Sequence, residues 1–226
     1  MRLLLIDTSG GEGSVALAEG ERELRVTASE QMPGRSASER LIPVIREMLN
    51  AQGWRLNELS AIAVVHGPGS FTGVRVGVSA AKGLSEAGKI PLIAISRLAV
   101  LADVADRTEG DICAVLDAGR GEFYCGVYAR GQKVSETLLT ADEVAAAAQG
   151  TATVVVCEPR VAEALRDLGP RLVAEPRAAD VLPLVAERVA AGEFEDVATL
   201  DANYLRRTDL EIFAKMAKIP SAGSAG

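Results

Sequence analysis

The residues best suited to chemistry lie in one glycine-rich stretch, residues 66–77, which reads HGPGSFTGVRVG. It follows an apolar, β-branched segment and precedes a segment of helical periodicity, so the pattern predicts a strand, a tight turn and a helix capped by Thr72. Free N–H groups at such a helix start attract an anion, often a phosphate. The lysine of a P-loop is absent, and the alternative is a tight turn that binds nothing. The candidates for a weak anion or nucleotide contact are Asp7, Thr8, Ser9, Gly67, Gly69, Ser70 and Thr72.

A carboxylate ends each of two similar apolar segments, Asp7 in one and Asp117 in the other, 110 residues apart. Both segments lead into glycine-rich turns, and the same offset superimposes the Gly-Glu pair at 11–12 on that at 121–122. After each turn we predict a second strand, a third strand and then alternating helices and strands. This duplication predicts two α/β domains, each with a mixed sheet and flanking helices, facing each other across a cleft. It is the outline of the actin-like (ASKHA) fold, in which two such hairpins face a nucleotide.

The elements that must position these residues follow from periodicity and turn signals. In the first half we predict helices over 36–52 and 72–86, strands over 61–65 and 91–95, and a connecting helix over 97–107. In the second half we predict a helix from residue 141, a strand over 153–157 and helices over 160–168 and 178–191. We therefore expect an N-terminal domain at 1–100, a smaller second domain at 101–212 and a flexible tail at 213–226.

The two long helices of the first half have unusual surfaces. The helix from Ser36 opens with a possible capping box, Ser36 to Glu39. Its apolar residues span an arc of about 160°, wider than the roughly 100° that a single core requires. The helix from Thr72 carries several small residues on one face, which would let another backbone approach closely. The surplus apolar width indicates a second apolar partner, either within this chain or in another subunit.

Composition narrows the classes of function. The 226 residues carry a formal net charge of −7 and only 4% aromatic side chains, which argues against a chain that grips nucleic acid by itself. Cys113, Cys125 and Cys157 show no paired spacing, so we expect buried free thiols in a reducing compartment, the cytoplasm. The apolar run that ends at Asp7 is too short for a signal peptide or a membrane span, and no membrane contact is expected.

Three motifs together resemble the TsaB family, the non-catalytic members of the bacterial tRNA threonylcarbamoyladenosine machinery. They are LIDTS at residues 5–9, GPGSFTGVRVG at 67–77 with AKGL at 81–84, and NYLR at 203–206. The similarity is dense from residue 1 to about residue 97, looser through the second half, and returns at Tyr204. The block at 67–77 is much more specific than any single glycine pattern.

The resemblance implies a heterodimer with the catalytic paralogue TsaD, which transfers a threonylcarbamoyl group to the adenosine next to the anticodon of tRNAs reading codons that begin with A. It also implies a small ATPase, TsaE, as a further component. The net acidity leaves tRNA contact to other members of the complex, and the exposed apolar stripe makes a homodimer an alternative for the isolated chain. No intrinsic cofactor is expected, and a nucleotide shared at the partner interface is an open alternative. In the family the two long N-terminal helices contact TsaD, which implies the interface residues Leu41, Ile42, Ile45, Met48, Leu49, Val74, Gly77, Val78, Ala81 and Leu84.

The resemblance also gives a reason to expect no catalytic residue and no metal. TsaD-like relatives carry a metal-binding H-x-x-x-H after the strand that ends the first sheet, and the corresponding positions here are Arg97 and Leu101. A guanidinium is permanently charged and leucine has no donor atom, so neither replaces an imidazole ligand. His66 is the only histidine in the sequence. The alternative from another class is a small-molecule kinase or ATPase of the same superfamily. Because Thr8 rather than glycine follows Asp7, we expect weak or no ATP binding.

Overall fold

The computed structural model describes residues 1–21, 23–33, 36–105, 110–148 and 153–205. Within these ranges the chain forms two five-stranded sheets and six α-helices. The strands are β1 (Arg2–Asp7), β2 (Gly13–Glu19), β3 (Arg25–Met32), β4 (Ala61–Val65), β5 (Leu92–Ile95), β6 (Ile112–Gly119), β7 (Glu122–Ala129), β8 (Gln132–Thr140), β9 (Thr153–Val156) and β10 (Arg171–Leu172). The helices are α1 (Ala37–Ala51), α2 (Phe71–Gly88), α3 (Arg97–Val104), α4 (Ala141–Ala147), α5 (Pro159–Ala164) and α6 (Leu182–Ala191).

The first sheet has the strand order β3-β2-β1-β4-β5. β1 pairs antiparallel with β2 and parallel with β4, and β5 extends the parallel half. β1 and β4 are apolar and buried along nearly their whole length because helices cover both faces of the sheet there. The carboxyl ends of β1, β4 and β5 meet at one edge, and this edge holds the predicted turn residues.

The second sheet has the order β8-β7-β6-β9-β10, which is the same connectivity as the first. β6 again pairs antiparallel with the strand that follows it and parallel with β9. Asp7, the last residue of β1, and Asp117, two residues before the end of β6, therefore occupy equivalent places on the two central strands. The structure confirms the internal repeat and the two-lobed, actin-like architecture that the repeat predicts.

Helices pack on both faces of each sheet. α1 and α2 cover one face of the first sheet, and a 3-10 turn at Ala178–Val181 with α6 covers the other. α4 and α5 cover the outer face of the second sheet. α3 lies between the two lobes: Val100 packs on the first sheet, whereas Leu98 and Leu101 pack on the second. The two lobes thus share one buried helix.

Several element boundaries differ from the sequence prediction. Ser70, not Thr72, caps α2, and its Oγ accepts from the N–H of Gly73 at 3.3 Å. The capping box predicted at Ser36 is wrong, because Ser36 Oγ donates to the carbonyl of Pro33 instead. The predicted helices over 160–168 and 178–191 are each divided into an α-helix and a 3-10 turn.

The chain returns to the first lobe after β10. α6 packs on the first sheet, and Glu195 forms a bridge with Leu92 of β5. The predicted second domain at 101–212 therefore includes a segment that packs on the first sheet, and the boundary near residue 100 stays a prediction. The predicted tail at 213–226, residues 106–107 of the predicted connecting helix, and Arg206 lie outside the described residues.

The three cysteines are buried and free, as predicted. Cys113 and Cys125 lie side by side on β6 and β7, with their Sγ atoms 3.1 Å apart. Among the residues that the structure describes, none of the helices has both the length and the apolar character needed to cross a membrane.

Candidate functional site

The turn between β1 and β2 is buried beneath α2. Asp7, Thr8 and Ser9 are at most 3% exposed. Asp7 Oδ1 accepts from both the N–H and the hydroxyl of Ser9, at 2.8 and 2.6 Å. Burial raises the pKa of the Asp7 carboxyl, and Arg97 together with the Ser9 hydrogen bonds acts in the opposite direction. The carboxylate is thus held inside the protein by local donors and does not face solvent.

The small-residue face of α2 packs directly against this turn. Thr8 Oγ1 donates to the carbonyl of Gly73 at 2.6 Å. A Cβ atom at Gly73 would overlap the carbonyl of Thr8, and one at Gly77 would overlap the Thr8 hydroxyl. The close approach predicted from the small residues is therefore present. The approaching backbone belongs to this chain.

The glycine turn before α2 forms backbone hydrogen bonds at the same edge of the sheet. Gly67 has φ of 102°, a left-handed conformation that favours glycine. The N–H of Ser70 donates to the carbonyl of Ser9 at 2.9 Å, and the N–H of Arg97 donates to the carbonyl of Gly67 at 2.8 Å. At Gly69 a Cβ would overlap the carbonyl of Ser9. Some of the backbone donors that could have held an anion are therefore used inside the protein.

The predicted anion-contact residues are only partly brought together. Asp7, Ser9 and Gly67 are buried, whereas Ser70 and Thr72 are exposed. Ser70 and Thr72 line a cavity of about 410 Å³ between the turn and the starts of α1 and α2. Its other lining residues are Thr8, Gly10, Gly11, Gly13, Ala37, Ser38, Phe71, Gly73 and Val76. Anion binding by this set stays a prediction.

Arg97 is the charged group at the centre of this region. Its side chain is 5% exposed, and its Nη1 donates to the carbonyl of Ser9 at 2.9 Å. Its Nη2 forms an ion pair of 2.7 Å with Glu175, a residue that the sequence analysis did not single out. Leu101, one turn later, is fully buried in the core between the lobes. The two positions that replace the H-x-x-x-H pair thus hold a paired cation and an apolar core side chain.

Seven of the ten predicted interface residues lie in the core of the first lobe, and their contact with a partner stays a prediction. Their side chains, or the backbone at Gly77, pack against the first sheet or against Thr8. The physical reason is that α1 turns most of its apolar arc toward its own sheet. The buried residues are Leu41, Ile45, Leu49, Val74, Gly77, Val78 and Ala81.

The other three predicted interface residues remain accessible. Ile42 is 49% exposed, and Met48 and Leu84 are partly buried against the first core. Val76 and Ala80 of α2 are partly buried in the same way. With exposed Phe71, these six residues define what we call the α1–α2 surface.

An exposed aromatic cluster at the start of α2 was missed by the sequence analysis. The Arg75 guanidinium lies 3.8 Å from the ring centre of Phe71, and its Nε donates to the hydroxyl of Tyr204 at 2.7 Å. The two rings are 5.8 Å apart, with 53% of Phe71 and 37% of Tyr204 exposed. The four-residue spacing of Phe71 and Arg75 in a helix was the available signal. No local signal brings Tyr204 to them.

His66 lies beside a second cavity, of about 500 Å³, which is lined by both lobes. Its ring is half-buried, and burial lowers the pKa of the imidazole. His66 Nδ1 lies 3.4 Å from the carbonyl of Asp201. Within the described ranges, no three His, Cys, Asp or Glu side chains are grouped as a metal ion would require.

Comparison with known proteins gives consistent results. The model of the family described as "TsaD: tRNA N6-adenosine threonylcarbamoyltransferase" matches residues 9–192. The tRNA threonylcarbamoyladenosine biosynthesis protein TsaB of Escherichia coli K12 is 37% identical over 134 residues, 58% of this chain and 57% of that protein. The TsaB of Haemophilus influenzae is 39% identical over 127 residues, 55% of this chain and 52% of that protein. This chain therefore spans little more than half the length of these two relatives.

A solved structure matches over a longer region. It is that of a Pseudomonas aeruginosa protein described as similar to the peptidase YeaZ, with a TM-score of 0.75 and 32% identity. The match covers 91% of this chain and 99% of that one. The similarity therefore extends over both lobes.

Proposed function

The chain belongs to the TsaD family of tRNA N6-adenosine threonylcarbamoyltransferases and, within it, to the TsaB group, and from this premise we propose that it acts in tRNA threonylcarbamoyladenosine biosynthesis as a non-catalytic subunit. In this role it pairs with the catalytic paralogue TsaD and supports its transfer of the threonylcarbamoyl group. The modified base is the adenosine next to the anticodon in tRNAs that read codons beginning with A.

The observation that carries the non-catalytic part of the proposal is the state of Arg97. Its guanidinium is buried, donates to Ser9 and pairs with Glu175 where catalytic relatives are expected to hold a metal-binding histidine. A permanent buried cation repels a metal ion at this position. Leu101, at the second position, fills the core between the lobes. Both residues have packing and electrostatic roles that leave no place for the ligand pair.

The α1–α2 surface is the region that we propose for pairing. Four of its residues are only partly buried against the core of the first lobe, and Ile42 and Phe71 are exposed. Apolar area of this kind is stabilised by contact with a second apolar face. A paralogue with the same fold offers a matching pair of helices. In its absence the same surface would pair two copies of this chain.

The cluster of Phe71, Arg75 and Tyr204 supports the same location. Aromatic and arginine side chains are the residue types that dominate binding energy in protein interfaces. Here the hydrogen bond from Arg75 to Tyr204 and the stacking on Phe71 hold the three side chains in place before any partner binds. A preordered cluster loses less side-chain entropy on association.

The other components follow from the charge and the cavities. A chain of net charge −7 with 4% aromatic residues is poorly suited to hold tRNA alone, so tRNA contacts are assigned to the complex. TsaE is proposed as the ATPase that joins the pair. For a nucleotide shared with the partner we propose the cavity beside Ser70 and Thr72, which opens next to the α1–α2 surface.

The test is coexpression with the catalytic paralogue of the same organism, followed by copurification and by nucleoside analysis of tRNA from cells that lack the native gene. We expect Ile42→Asp to weaken pairing at least about tenfold and to lower threonylcarbamoyladenosine, because it places a charge in the proposed contact. Leu41→Asp, Ile45→Asp or Val78→Asp would not test the interface, since these residues lie in the core.

The matched control is Val134→Asp, which changes an apolar residue of β8 that is 63% exposed. It should leave pairing and tRNA modification unchanged. Both variants should melt at the temperature of the wild type, because neither side chain is in the core. Unchanged pairing of a folded Ile42→Asp variant would contradict the proposed surface.

A further inference from the structure

The carboxylate of Glu175 fills a small recess at the β1–β2 turn. Its Oε1 accepts from the N–H of Gly11 at 2.9 Å and from Nη2 of Arg97 at 2.7 Å. The Glu175 side chain is 44% exposed, whereas the Arg97 side chain is 5% exposed. The guanidinium therefore belongs to the interior, whereas Gly11 and Glu175 lie at the surface.

The recess is shaped for an oxygen atom. A Cβ atom at Gly10 would lie 2.6 Å from Glu175 Oε1 and 3.0 Å from Arg97 Nη2. Contacts that short would force the carboxylate or the guanidinium to move. Glycine at this position thus keeps open the space in which a carboxylate oxygen meets a backbone N–H and a guanidinium. These are the donors that proteins use for oxyanions.

Glu175 is held in the recess by a segment without regular structure. Residues 173–177 connect β10 with the 3-10 turn that begins at Ala178. The backbone bonds at its ends, from Val173 to Val156 and from Arg177 to the Asp180 side chain, flank Glu175 and do not involve it. The carboxylate can therefore leave the recess without breaking a strand pair.

We propose that Gly10, Gly11 and Arg97 form an oxyanion-binding site for a carboxylate group, and that Glu175 is its built-in occupant. The site takes the carboxylate of an external ligand only when Glu175 is withdrawn. This inference concerns the isolated chain and is independent of the pairing with TsaD.

The charges around the site favour a monoanion. The charged groups that face Arg97 are Asp7 and Glu175, and the thiol of Cys157 lies in the same field. One guanidinium with Asp7 beside it supplies no excess positive charge. A carboxylate replaces Glu175 charge for charge, whereas a phosphate dianion adds a negative charge beside Asp7. A phosphate group is therefore disfavoured beside Arg97, and the nucleotide proposed above is assigned to the part of the cavity beside Ser70 and Thr72.

The test uses acetate and formate as ligands of the full chain. In Glu175→Ala the recess is empty, and we expect saturable acetate and formate binding by NMR titration of the Gly11 amide, with a rise in melting temperature. The wild type should bind at least about tenfold more weakly, because the tethered carboxylate competes at high effective concentration. Chloride at equal ionic strength should reproduce neither effect.

Two controls keep the outcome clear. The double variant Glu175→Ala, Arg97→Met should lose the saturable binding, since the guanidinium is gone. If Glu175→Ala does not fold, Glu175→Ser leaves a smaller side chain in the recess and is titrated in the same way. Equal binding by the wild type and the variant, or no saturable binding in a folded variant, overturns the proposal. Tighter binding of phosphate at pH 8 than of acetate overturns the assignment to carboxylates.

Discussion

The two hairpin turns of the duplicated lobes have the same local chemistry and different surroundings. In the first lobe Asp7 Oδ1 accepts from the N–H of Ser9 at 2.8 Å, and in the second Asp117 Oδ1 accepts from the N–H of Gly119 at 2.8 Å. Yet Asp7 is 2% exposed, whereas the Asp117 side chain is 20% exposed and pairs with Arg160, which is itself 71% exposed. The two halves of the repeat therefore share the hydrogen bonding of the turn and differ in the groups that pack over it.

The covering helices explain the difference. α2 has 18 residues and presents its glycine face to the first turn, so the turn is sealed by Gly73, Gly77 and Arg97. α5 has only six residues and leaves the second turn near the surface. At the second turn, Cβ atoms at Gly119 and Gly121 would meet no neighbour within 4 Å. The same turn is thus a packing element in one lobe and a surface turn in the other.

The largest effect is expected when a side chain is added at the position where α2 packs against the first turn. Gly77→Val should destabilise the protein by about 3 kcal/mol, because its Cβ overlaps the Thr8 hydroxyl and forces α2 away from β1. Urea unfolding followed by circular dichroism measures the change. Gly83→Ala is the control on the same helix: no atom lies within 4 Å of the added Cβ, and the variant should be more stable by roughly 0.5–1 kcal/mol. Similar losses in both variants would mean that the contact with Thr8 is not what matters.

A second comparison removes the arginine at each turn. Arg97→Met should cost about 2 kcal/mol, since it removes one of the two donors to the buried carbonyl of Ser9, the other being the N–H of Ser70, and leaves Glu175 without its cation. Arg160→Met should cost under about 0.5 kcal/mol, because that ion pair is largely in solvent. The same unfolding assay gives both values. Equal effects of the two substitutions would show that the turns are energetically alike.

The smallest effect concerns the pH dependence of stability. Because burial raises the pKa of Asp7 above its unfolded value of 3.8, the folded state favours the uncharged form. The stability contributed by that form is complete below pH 3.8 and is lost as the pH rises through the folded pKa. Asp7→Asn stays neutral and keeps an acceptor for Ser9, so its stability relative to the wild type should increase with pH over this range.

Unfolding free energies measured from pH 3 to pH 7 test this expectation. Asp117→Asn serves as the control for a change of one unit in net charge. A difference between Asp7→Asn and the wild type that is constant with pH, or that decreases, would contradict the role assigned to burial.

Much of the fold was predictable from local pattern. The strand at Ala61–Val65 matches its predicted range, and the duplicated meanders follow from two apolar segments that end in aspartate. These features depend on short-range periodicity and turn chemistry, which a sequence carries directly. The cap predicted at Thr72 was wrong because Ser70, two residues earlier, supplies the hydroxyl. The capping box predicted at Ser36 was wrong because that hydroxyl donates to the carbonyl of Pro33 instead.

The candidate site was less predictable. The family resemblance implied a partner contact for Leu41, Ile42 and Ile45, whereas the structure buries Leu41 and Ile45 in the core and leaves Ile42 largely exposed. The sequence analysis identified Arg97 only as a residue that cannot replace a metal-binding histidine. Its ion pair with Glu175 was not predictable, because the two residues are 78 positions apart in the chain. The width of the apolar arc on a helix indicates that the arc must pack against other apolar groups. It does not indicate whether those groups belong to the same chain or to a partner.

The sequence by itself determined the two-lobed architecture, the family resemblance and the replacement of the histidine pair by Arg97 and Leu101. Only the tertiary structure decided that Thr8 rather than a partner fills the glycine face of α2, and that Glu175 occupies the recess beside Arg97. The reason is physical. Turns and strands depend on residues that are neighbours in the chain, whereas the packing over a turn and the pairing of charges depend on groups that meet only after the lobes have folded.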